Sequence, residues 1–126
     1  MNDVKLLINN EDITAANNRT FERKNPVTGK TATVAAAANA ADARKAADAA
    51  AAAFPEWSKM GPGARRKILL KAADIMEAKG DEFGQLVLDE TGSTRMWGGF
   101  NAHLAANMLR EAGGMTTQIQ GDLIPS

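Results

Sequence analysis

The chain has 126 residues, enough for one compact domain, and its fifteen basic residues balance fifteen acidic ones. A chain with no net field offers no electrostatic case for nucleic acid or an anionic membrane as its partner. Cysteine is absent, which excludes disulfides, thiolate metal sites and thiol nucleophiles within these residues.

Met1-Asn2-Asp3-Val4-Lys5 is polar, and the apolar run after it, Leu6-Leu7-Ile8, is too short for a signal segment. No stretch has bilayer length, so a cytoplasmic location is expected. Leu6-Leu7-Ile8 and Ile13 flank Asn9-Asn10 and read as a β-hairpin, because Asn tolerates the positive φ of a two-residue turn. Residues 14–20 read as polar loop, and Thr20-Phe21-Glu22-Arg23 as a short strand. Asn25-Pro26-Val27-Thr28-Gly29-Lys30 reads as a turn, with Pro fixing φ and Gly supplying a positive one. Residues 31–35 return as a strand.

The first helix is expected after Asn39, which can cap it, with Asp42 placing negative charge in its first turn. Ala43, Ala47, Ala50 and Phe54 fall on one face, with Arg44, Lys45 and Asp48 opposite. Pro55 is expected to end it. Gly61-Pro62-Gly63 reads as a hinge or turn before a second helix over 64–79, striped by Ile68, Leu69, Ala72, Ile75 and Met76. Gly80 reads as the residue closing that helix and Asp81 as the cap of a third, which carries Phe83, Leu86 and Val87 and ends near Thr91-Gly92. Ser93 or Thr94 can cap a fourth, on which Trp97, Phe100, Leu104 and Met108 share a face and which Gly113-Gly114 should stop. Residues 118–124 read as the beginning of a strand. A chain that stops on an incipient strand is expected to be a piece of something larger.

Residue inventory removes several chemistries. The single histidine, His103, falls in a predicted helix with no nucleophile elbow, so a Ser–His–Asp triad fails and a surface or partly buried histidine is expected. No metal-ligand spacing occurs. Asp81-Glu82 and Asp89-Glu90 are adjacent pairs whose side chains point apart on a helix, and they read as solvated helix ends. Gly98-Gly99 and Gly113-Gly114 neither follow a strand nor extend to GxGxxG, so no dinucleotide loop is expected. Arg65-Arg66-Lys67 reads as solvated surface, with phosphate contact a weaker second reading. The fourth helix is the best functional candidate: Trp97 and Phe100, beside two glycines, can line an aromatic ligand pocket. The same spacing fits plain core, and spacing alone favours core.

The order of these motifs resembles the aldehyde dehydrogenase family. Leu6-Leu7-Ile8-Asn9-Asn10 is similar to its opening strand, and Asn25-Pro26-Val27-Thr28-Gly29 to its Asn-Pro-x-Thr-Gly turn. Ala50-Ala51-Ala52-Ala53-Phe54-Pro55-Glu56-Trp57-Ser58 resembles its alanine-rich helix closing on Phe-x-x-Trp. Arg65-Arg66-Lys67-Ile68-Leu69-Leu70-Lys71-Ala72-Ala73-Asp74 and Glu90-Thr91-Gly92 complete the series. From residue 97 on, Phe100-Asn101, Met108-Leu109-Arg110-Glu111-Ala112 and Met115-Thr116-Thr117-Gln118-Ile119, with Gly121 and Ile124-Pro125-Ser126, resemble the aromatic-aldehyde branch of salicylaldehyde, benzaldehyde and vanillin dehydrogenases.

The resemblance implies an α/β fold with a Rossmann-like cofactor domain, a catalytic domain and a β oligomerisation arm. Residues 1–126 would be its incomplete N-terminal part, mainly helical with N-terminal β-strands. It implies a homo-oligomeric enzyme that oxidises an aromatic aldehyde, salicylaldehyde favoured, with NAD or NADP. In the family a cysteine thiolate attacks the carbonyl, a glutamate base assists hydrolysis, and an asparagine side chain and a backbone N–H hold the oxygen. None of these, nor the cofactor loop, carries over to a residue here, so the chain alone is expected to be inactive. What carries over is one wall of the substrate tunnel, which makes Trp97, Phe100 and Leu104 substrate-contact candidates. Two other classes stand beside this reading: a stand-alone helical interaction module using the alanine-rich faces, and a nucleic-acid binder using Arg65, Arg66 and Lys67.

Overall fold

A computed structural model describes residues 2–122 and Ile124. The chain forms two compact units, Met1–Lys59 with Val87–Ser93, and Met60–Leu86 with Thr94–Ser126.

The first unit holds all the strands found among the described residues. β1 (Asn2–Val4) pairs in parallel with β5 (Thr31–Ala36), which pairs antiparallel with β4 (Thr20–Lys24), giving the order β1-β5-β4. β1 has no apolar signature of its own, and its register against Thr33, Val34 and Ala35 supplies the order that its sequence lacks. β2 (Leu6–Ile8) and β3 (Glu11–Ile13) form the expected hairpin. Asn9 and Asn10 have φ of 53° and 63°, the left-handed pair whose twist matches the flanking strands. The 14–20 loop is more ordered than expected. Ala16–Asn18 is a 3-10 turn, and Ala15 is buried beside it.

The 25–30 turn is built by a side chain. Asn25 Oδ1 accepts from the amides of Val27 and Thr28 at 2.9 and 3.0 Å. In the same unit Asn25 Nδ2 donates to the Leu88 carbonyl at 3.5 Å.

α1 (Ala40–Lys59) begins as the caps demand. Asn39 Oδ1 accepts from the amides of Ala41 and Asp42, and Asp42 Oδ2 accepts in return from Asn39 N at 2.9 Å. Asp42 is buried, and both its oxygens also accept from Ala16 N at 3.2 Å, so one carboxylate serves the helix start and the 3-10 turn. Two expectations fail on this helix. Pro55 does not end it, because the ring removes a single N–H bond and leaves an exposed turn that solvent can satisfy; Ser58 Oγ donates back to the Pro55 carbonyl. The Ala43–Ala47–Ala50–Phe54 face is exposed, Phe54 by 64%, while Lys45, Ala49 and Ala53 face the β2–β3 hairpin across a recess of 410 Å³.

The second unit is helical. α2 (Pro62–Ala78) starts from Gly61 with Pro62 at its first position, so the helix begins two residues earlier than expected. Its buried centre is Ala73, while Ile68 and Ile75 of the expected stripe are half-exposed. α3 (Gly80–Thr91) follows after Lys79 alone; Gly80 has no left-handed φ and is the first residue of α3, with Asp81 and Glu82 in the first turn rather than capping it. α3 ends as expected at Gly92, whose φ is +68° and whose amide bonds back to the Leu88 carbonyl. α4 (Arg95–Met115) runs through Gly113-Gly114. Gly113 is buried against Leu69 and Leu70, and that packing offsets the roughly 1 kcal/mol each glycine costs a helix. The strand expected over 118–124 is not formed among the described residues; Leu123 lies outside them. No helix among the described residues is long and apolar enough to cross a membrane.

Candidate functional site

α4 carries the candidate site, and its placement starts with its cap. Thr94 precedes the helix with extended φ/ψ, and its Oγ1 accepts from the Trp97 amide at 3.2 Å. The first turn is thereby held with Trp97 at its third position. Three residues on, Phe100 lies on the same face, and the two rings stack with centroids 5.5 Å apart and planes inclined by 22°.

The opposite face of α4 is made of small residues. Gly98, Ala102, Ala106 and Gly113 are buried, and Ala106 has no exposed surface. At Gly98 a Cβ would lie 2.7 Å from the Gly84 Cα, so α3 and α4 touch backbone to backbone. Only glycine fits there. Gly98 is therefore a packing residue and not open space beside the rings; of that pair only Gly99 faces a void.

Because small residues take the packed side, the large ones are left outside. Trp97 is 54% exposed, Phe100 51%, Leu104 44% and Met108 65%. Within this chain the stripe is not core, and Trp97, Phe100 and Leu104 lie on one open face. Thr94, Met96, Trp97 and Phe100 line a recess of 300 Å³. Met96 escaped sequence reading because it steps about 100° off the stripe, although its long flexible side chain reaches the same space.

Between α2 and α4 a polar cluster forms that no local spacing announces. Arg110 Nη2 donates to Asp74 Oδ1 at 3.2 Å and to Glu77 Oε2. His103 Nδ1 lies 3.3 Å from Glu77 Oε1. Arg110 Nη1 also donates to Asn107 Oδ1, which turns the Asn107 amide nitrogen towards His103 Nε2 at 3.0 Å. An amide NH2 can only donate, so Nε2 is the accepting nitrogen and Nδ1 carries hydrogen towards Glu77. The hydrogen bond and charge of Arg110 hold the Glu77 carboxyl below its ordinary value; desolvation works against this, and His103 adds to it. Glu77 and then Asp74 push Arg110 up in turn.

A second polar cluster corrects another expectation. Glu90 is not a solvated helix end: it accepts from Thr33 Oγ1 at 2.6 Å and pairs with Arg23 Nε at 3.2 Å. Thr33 is almost fully buried in β5, so Glu90 ties the end of α3 to the sheet within the first unit. Arg65 is half-buried, while Arg66 and Lys67 are exposed as expected.

No group of metal-ligating side chains occurs among the described residues. Both glycine pairs lie inside α4, so neither forms the strand-to-helix turn that cradles a dinucleotide diphosphate.

Comparison with known proteins agrees with the motif order. The profile described as the aldehyde dehydrogenase family matches residues 13–126. A vanillin dehydrogenase of a Pseudomonas species is 52% identical over 123 residues, covering 98% of this chain and 25% of that protein. The crystal structure of a salicylaldehyde dehydrogenase from Pseudomonas putida, complexed with salicylaldehyde, superposes with a TM-score of 0.96 at 46% identity, covering 100% of this chain and 26% of that one. The structure of PnpE in complex with nicotinamide adenine dinucleotide superposes at 0.91 with 36% identity, covering 97% and 25%. The chain thus spans about a quarter of the length of the relatives it matches.

Proposed function

This chain belongs to the aldehyde dehydrogenase family, and from that premise we propose that residues 1–126 are the N-terminal part of a longer enzyme that oxidises an aromatic aldehyde to its carboxylic acid with NAD(P)+. The observation that carries the aromatic reading is the stacked, half-exposed Trp97–Phe100 pair. A surface with that much ring area stays open to water only at a cost, and a flat apolar substrate relieves it. Trp97, Phe100 and Leu104 form one wall for the ring of the aldehyde. Salicylaldehyde is the favoured substrate, supported by the likeness to the enzyme complexed with it.

The residues present do not fit the cofactor, since neither glycine pair opens a helix after a strand. They contain no thiol either. The nicotinamide site and the nucleophile are assigned to residues beyond 126. We place the enzyme in the cytoplasm as a homo-oligomer, both by resemblance to the family.

The test has two arms. In the full-length enzyme, Trp97→Ala and Phe100→Ala should each raise KM for salicylaldehyde about tenfold, the loss of roughly 1.4 kcal/mol of ring contact. Unchanged KM in both variants rejects the wall. The 126-residue chain alone should form no NAD(P)H from salicylaldehyde, and sustained turnover by it would overturn the division of labour.

A further inference from the structure

α4 presents three stripes to its surroundings. Gly98, Ala102, Ala106 and Gly113 form the buried one, and Trp97, Phe100, Leu104 and Met108 the ring-bearing one. His103, Asn107 and Arg110 form the third. At about 100° per residue the third stripe lies roughly 100° from each of the others, on the flank between them.

That placement matters because of what the buried stripe is made of. Ridges of large side chains interlock and resist rotation of one helix against another. Glycine and alanine make almost no ridge. The contact of Gly98 on Gly84 sets how near α4 comes, and it constrains the roll of α4 about its own axis only weakly. The roll is instead opposed on the flank, where Arg110 reaches two carboxylates a turn apart on α2, Asp74 and Glu77. Glu77 is gripped from a second turn of α4 by His103. A two-point attachment at each end converts a sliding contact into a fixed one.

We infer that Arg110, held by Asp74 and Glu77, is a positioning residue for the aromatic wall: it sets the roll of α4 and thereby the direction in which Phe100 and Leu104 face. This rests on the wall reading above. Rotation about the axis carries the ring-bearing stripe through an arc while leaving the small-residue contact nearly unchanged. Substrate fit is therefore more sensitive to Arg110 than packing is.

The experiment uses the full-length enzyme and compares salicylaldehyde with acetaldehyde, which has no ring to place. Arg110→Met should raise KM for salicylaldehyde about fivefold, with kcat and the acetaldehyde KM changed less than about twofold. Arg110→Lys, which keeps the charge but not the fork, should fall between Arg110→Met and the unaltered enzyme. Glu77→Gln should move KM in the same direction by a smaller factor, and with Arg110→Lys it decides the matter should Arg110→Met not fold. No shift in these variants, or an equal shift for acetaldehyde, overturns the inference. Phe100→Ala in the same assay separates the two readings. If it leaves the salicylaldehyde KM unchanged, the wall itself is wrong; if it raises KM while the Arg110 variants do not, only the positioning role is wrong.

Discussion

The two units are specified by different physics. In the strand-bearing unit, polar side chains do the specifying. Asp42 serves the amides of Asn39 and Ala16, Asn25 folds its own turn, and Glu90 joins Thr33 to Arg23. In the helical unit, the absence of side chain does it, with Gly98 against Gly84 and with Ala73, Ala102 and Ala106 buried. Hydrogen bonds specify direction, so the first unit can hold short strands and turns that have little apolar area. Small residues specify distance, so the second brings helices close and leaves its large residues outside. The same poverty of bulky core residues is met in two ways.

That contrast predicts unequal responses to substitution. The largest effect is expected at Gly98. Gly98→Leu forces α3 and α4 apart and should cost about 3 kcal/mol, read as a lowered midpoint in denaturant. A midpoint within experimental error of the unaltered chain would mean that backbone contact does not specify the helical unit. Next comes Asp42→Ala, which leaves the Asn39 and Ala16 amides without their acceptor and should cost about 2 kcal/mol by the same measurement. Asp42→Asn should lose less, because the amide oxygen still accepts. Should Asp42→Ala prove silent, the polar half of the comparison fails.

The smallest effect concerns Glu77, a polar device in the unit ruled by packing. Its carboxyl is held below the ordinary value of 4.5, so the folded state favours its charged form. The resulting stabilisation is fully present above that ordinary value and disappears as pH falls through the lowered one. Melting curves of the unaltered chain and Glu77→Gln should therefore differ slightly at neutral pH and converge in acid. A difference that persists or grows below pH 4 would assign the effect to shape and not charge.

Much of the strand-bearing unit was legible in the sequence because its devices are local. Asn9-Asn10, Asn25 to Lys30, and Asn39 with Asp42 each act within a few residues, and turn and cap chemistry is written at fixed short offsets. What was not legible acts at a distance. Glu90 reaches Thr33 across 57 positions, and Arg110 reaches Glu77 across 33. A carboxylate pair on a helix end carries no mark of either partner. The exposed faces of α1 and α4 are hard to read from sequence for a related reason. Hydrophobic periodicity ranks large residues above small ones, so Phe54 and the Trp97 stripe read as inward. The inward positions of α4 belong to Ala102 and Ala106, which count for little on any hydropathy scale, and on α1 Ala49 is half-buried. Pro55 and Gly113-Gly114 carry the propensity of helix stops, which the exposure of the one and the burial of Gly113 in the other override. The candidate face is legible in its rings, while the Arg110, Asp74 and Glu77 cluster beside it is not, because its members lie on different helices.

The contact of Gly98 on Gly84 has a consequence for how this protein can change. The positions that hold α4 in place and the positions that face outward share no residue. Replacement at 97, 100 or 104 therefore leaves the joint between helices untouched. A lineage, or a mutagenesis library, can exchange tryptophan for leucine or phenylalanine for valine there and still recover folded protein. The outward face is free to drift on a helix whose seat is not, and the two glycines are where variation should be least tolerated.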